Sequence, residues 1–183
     1  WLLRGFAALG DPSLEDEGLR EARESGRNGR AAQPAPGSRD DVLLEAMDAF
    51  VLLEEIARVY GEDGLDDSEV FLTEERFTAI YETGLKSAYN ILMQADQRRT
   101  DRTPLSTKYY LTYRKAELLR NWNNIISTIG GEPIDVRLDR QREARERAER
   151  FVGEPLAKKA SDLMKEIEPA DHSLRLLYGP IPR

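Results

Sequence analysis

The sequence predicts an all-α fold, an antiparallel up-down-up-down four-helix bundle with extended N- and C-terminal arms. Three observations lead there. Four segments carry apolar residues at alternating spacings of three and four, the period of one helix face. Stops rich in Gly and Pro separate them by short turns, which favours antiparallel neighbours. No segment reads as a strand, since Val70-Phe71-Leu72 is too short to carry a sheet.

Residues 1–39 stand apart. They hold 6 of the 13 glycines and 3 of the 9 prolines, and "ESGRNGRAAQPAPGSRDD" has the composition of a flexible linker. Within this stretch "DPSLEDEGLREARES" can form one short helix, with Pro12 and Ser13 as its start signal and acids in its first turn. The whole is read as an N-terminal arm that is disordered alone and held by a partner surface. The opening "WLLRGFAALG" is compatible with the remnant of an apolar targeting region, although it is too short to assign.

Helix one is expected over residues 40–60, capped by Ser38, Asp40 or Asp41. Leu43, Met47, Phe50, Leu53, Ala57 and Tyr60 share one face, and Val42, Val51, Leu52, Ile56 and Val59 widen it. The acidic "GEDGLDDSE" ends it. Helix two is expected over 73–98, with Thr73 as the cap and Glu74 and Glu75 suiting its positive end. Gly84 lies inside, where a missing side chain would permit a close helix crossing at a propensity cost of about 1 kcal/mol. Helix three is expected over 105–129, striped by Leu111, Leu118, Trp122, Ile125 and Ile129, and stopped by "GGEP". Helix four is expected over 135–167, broken at Gly153 and Pro155. Its first half is charged, with i to i+4 pairs such as Arg142 with Glu146; its second half carries Ala160, Leu163, Met164 and Ile167. Residues 40–167 are thus the bundle. Residues 168–183, with "LRLLYGPIPR", form an extended tail.

Composition narrows the function. The 183 residues carry 27 Lys and Arg against 34 Asp and Glu, a net charge of −7, so nucleic acid is not an expected partner. There is no cysteine, which excludes disulfides, thiolate metal sites and a cysteine nucleophile. No run approaches the roughly 18 apolar residues of a membrane span, so a membrane is met only through partners.

Catalytic, cofactor and metal sites are all expected to be absent. The one histidine, His172, sits in the tail, away from any rigid partner set. A di-iron bundle site needs Glu-x-x-His pairs, which one histidine cannot supply. The loop from Glu62 to Glu69 invites a calcium reading, and Glu74 falls at position twelve counted from Asp63. Leu65 and Ser68 occupy ligand and glycine positions, so the loop reads as a solvated connection. Phosphate-binding and nucleophile-elbow motifs are missing.

What remains points to interaction. Tyr109, Tyr110, Tyr113 and Trp122 lie among Lys108, Arg114, Lys115 and Arg120, a pattern suited to an interface or to stacking bases. Residues 40–82 contain 14 acids and 2 bases (net −12), and residues 98–120 contain 7 bases and 2 acids (net +5). These segments either attract each other inside the bundle or orient docking.

The passage "YYLTYRKAELLRNWNNIISTIGGEPIDVRLDRQREA", residues 109–144, resembles the PsbQ-like extrinsic subunits of photosystem II. There too a Tyr- and Arg-rich helix ends in an Ile-Ile-Ser-like turn with proline before a charged helix. The resemblance implies a non-catalytic, lumenal four-helix bundle that caps membrane subunits and supports the oxygen-evolving side. The expected function is therefore an accessory subunit docking onto other protein subunits of a larger complex. Its anchors are Trp1, Leu3 and Phe6 at one end, Tyr109, Tyr110 and Arg114 on helix three, and Leu177, Tyr178 and Ile181 in the tail. The sequence leaves the compartment unknown; an organelle is favoured, the thylakoid lumen if the resemblance holds. The alternative is a helical module binding nucleic acid or a small ligand through the aromatic and basic third helix.

Overall fold

The computed structural model describes residues 1–60, 82–128 and 133–167, and its regular elements are all helical. In chain order they are α1 (Leu2–Leu9), a 3-10 turn (Pro12–Leu14), α2 (Glu15–Ala31), α3 (Arg39–Glu45), α4 (Met47–Tyr60), α5 (Thr83–Gln97), α6 (Leu105–Thr128), α7 (Ile134–Val152) and α8 (Leu156–Ile167). The expected all-α class holds among the described residues. His172, the Glu62–Glu69 loop, the Thr73 cap, Ile80, Ile129, the Gly130-Gly131 turn and the tail anchors Leu177, Tyr178 and Ile181 lie outside them.

The expectation of an extended N-terminal arm is corrected. Residues 1–31 form a helical hairpin whose two helices pack on each other, with α2 lying against α3 and α4. The glycines that read as linker are what allow it. Gly18, Ala22, Ser25 and Gly29 recur at helical spacing and are all buried. A Cβ at Gly18 would lie 2.6 Å from the Ala8 carbonyl oxygen, and one at Gly29 would lie 2.6 Å from Leu44 Cδ2. A Cβ at Gly5 would lie 2.8 Å from Met47 Cε. Missing side chains here let the helices approach closely. Leu2, Ala8, Leu19 and Ala22 then join one core with Leu44, Met47 and Phe50.

Helix one is present but interrupted. Ser38 caps it, its Oγ accepting from Asp41 N at 3.2 Å, and Asp40 and Asp41 occupy the first turn. The helix breaks at Ala46, where α3 gives way to α4. A break leaves terminal carbonyls without intrahelical donors. Arg30 of α2 supplies one, its Nη1 donating to the Leu44 oxygen at 2.6 Å while Nη2 pairs with Asp48 at 3.0 Å.

The turn before α3 is docked onto the turn before α6. Gly37 has φ +73°, a value that favours glycine, and the Thr100 side chain occupies the space its Cβ would need. Thr103 Oγ1 donates to the Gly37 oxygen at 2.7 Å, and Gly37 N donates to Asp41 Oδ2 at 2.8 Å. Arg98 reaches Asp41 at 3.2 Å and Glu45 at 3.0 Å. Part of the charge asymmetry is therefore spent inside the fold, an acidic first helix against a basic loop.

Helix α6 runs through the middle, packing against α8, α5, α7 and α3. Leu111, Leu118, Leu119, Trp122 and Ile126 are fully buried on it. Of the other residues on the expected apolar faces, Leu53, Ile56 and Ile125 are buried and Leu163 is partly so; Leu92 of α5 is buried as well. The break expected at 153–155 is found: Gly153 ends α7 with φ +89°, and the Glu149 carboxylate accepts from Leu156 N at 3.3 Å. Among the described residues no close crossing is seen at Gly84: none lies within 4 Å of the position its Cβ would take.

Candidate docking surface

Helix α1 carries one charge, Arg4, which pairs with Glu21 of α2. The rest is apolar or glycine, and helical geometry sorts it into two sides. Leu2, Gly5 and Ala8 are buried toward α2 and the body. Phe6 is half-buried, its ring centroid 5.6 Å from Phe50 and 6.0 Å from Tyr110, with Phe50 and Tyr110 5.7 Å apart. These tilted and edge-on contacts are the arrangements aromatic quadrupoles favour. Leu3 points away from the body and is 76 % exposed, while Trp1, the residue before α1, has its Cβ beside Gly29 of α2 yet remains 54 % exposed.

The α6 residues expected at the interface turn largely inward. The Arg114 guanidinium lies 5.2 Å from the Phe50 ring centroid, and Nη1 pairs with Glu117 at 3.0 Å. Its side chain is only 18 % exposed. Burial disfavours its charge, but the field of Tyr110, Glu117 and Tyr113 outweighs this, and its pKa lies above the ordinary value. Tyr113 is buried with Ile167 of α8, beside Tyr109, Tyr110 and Met164, and burial pushes its phenol well above the ordinary range. A base-stacking platform needs free ring faces and free cations. Here Tyr110 and Arg114 are both engaged with Phe50.

The sequence reading missed a second set of exposed apolar side chains. Ile134, Val136 and Leu138 open α7 and are exposed, as are Leu105 at the start of α6 and Phe151 near the end of α7. The signal was present in "IDVRLD", three apolar residues in a charged helix. Phe151 is part of a ring cluster with Tyr89 at 6.0 Å and Trp122 at 6.1 Å, and Lys86 Nζ sits 5.7 Å from its centroid. Ala144, Ala148 and Val152 face the body, while Arg142 pairs with Asp139 and Arg147 reaches Glu82 at 3.6 Å.

Among the described residues no group of His, Cys, Asp or Glu is placed to hold a metal ion, and no helix is long and apolar enough to cross a membrane. No family model, curated protein or solved structure matches the chain.

Proposed function

We propose that the chain is a non-catalytic accessory subunit that docks onto a larger protein assembly through the outward side of α1. One observation carries this reading. Helix α1 sends Leu2 and Ala8 into the core, while Leu3 on its outer side and Trp1 just before it leave large apolar side chains in solvent. Clustered large apolar side chains left in solvent are the kind of surface a partner covers. Large aromatic and aliphatic side chains of this kind dominate interface energies.

The finer reading is a PsbQ-like extrinsic subunit of photosystem II. It rests on the resemblance of residues 109–144, and on α3–α4, α5, α6 and α7–α8 taken as the four legs of an up-down bundle. Contacts from Gln141 Nε2 to the Ser127 carbonyl at 3.1 Å and from Arg145 to Asn123 at 2.5 Å support an antiparallel α6 and α7.

The test is co-migration of Leu3→Glu with the native assembly on gel filtration, beside a thermal melt. Leu3 is exposed, so the melt should stay within about 0.5 kcal/mol of the parent. Association should weaken tenfold or more. Undiminished association with the melt unchanged would overturn docking through α1. For the finer reading, rebinding to photosystem II membranes stripped of extrinsic subunits is the discriminating assay.

A further inference from the structure

We draw no further inference here: the strongest candidate, the bare apolar side chains of Ile134 and Leu138 on the opening turns of α7, forms an unpartnered helix surface and nothing in the structure shows what covers it.

Discussion

Arg30 and Leu44 are joined by a hydrogen bond of 2.6 Å from guanidinium Nη1 to carbonyl oxygen, across 14 residues of sequence. It ties the N-terminal hairpin to the end of α3, where the helix expected over residues 40–60 is interrupted. Charged-group hydrogen bonds contribute about 1.5–3 kcal/mol, while the half-exposed pair with Asp48 adds little. Arg30→Met keeps most of the stem and removes both donors. It should lower stability by about 2 kcal/mol, a fall in Tm of roughly 4–8 °C for a chain of this size. Arg30→Lys, with one compact head in place of a fork, should recover only part of the loss. A thermal melt of both variants checks this, and a Tm unchanged in Arg30→Met would remove the tie.

The glycines separate into two kinds. At Gly18 an added Cβ meets the backbone oxygen of Ala8, which cannot swing away as a side chain can. Gly18→Ala should force α1 off α2 and cost about 1–3 kcal/mol, as overpacking does. Gly84 is on the first turn of α5, and no described residue lies within 4 Å of where its Cβ would be. Gly84→Ala should gain about 0.5–1 kcal/mol from helix propensity and a less flexible unfolded chain. Opposite signs in a denaturant titration are the expected result; equal signs would mean the hairpin contact is misplaced.

Leu118 is fully buried at the middle of α6. Leu118→Ala should lose about 2–5 kcal/mol by lost transfer energy and the cavity left behind. Chemical denaturation measures it, and a loss below about 0.5 kcal/mol would put Leu118 outside the core.

Much of the body was legible because its signals are local. The stripe Leu111, Leu118, Trp122 and Ile125 gives α6 from its start at Leu105, and Gly153 marks the break before α8. The break at Ala46 was not legible. No glycine or proline stands there, and the residue that stabilises it, Arg30, comes from another helix. The hairpin was hidden for a different reason. Composition treats Gly18, Gly26 and Gly29 as flexibility, whereas at helical spacing the missing side chains serve close packing against Ala8, Met47 and Leu44. The proposed docking surface was legible as residue types only. Trp1, Leu3 and Phe6 look alike as apolar anchors until the helix is known; its turn then sends Phe6 to Phe50 and Leu3 to solvent.

The most direct test is amide hydrogen exchange across residues 19–29 of α2 in the isolated chain. If the N-terminal third belongs to the folded body, those amides open only with much of the core. With global stabilities of about 5–15 kcal/mol, exchange should be slowed by roughly a thousandfold or more, comparably to residues 111–126 of α6. Exchange across α2 at the rate of an unstructured peptide, with α6 protected, would contradict this and return residues 1–31 to the status of an arm.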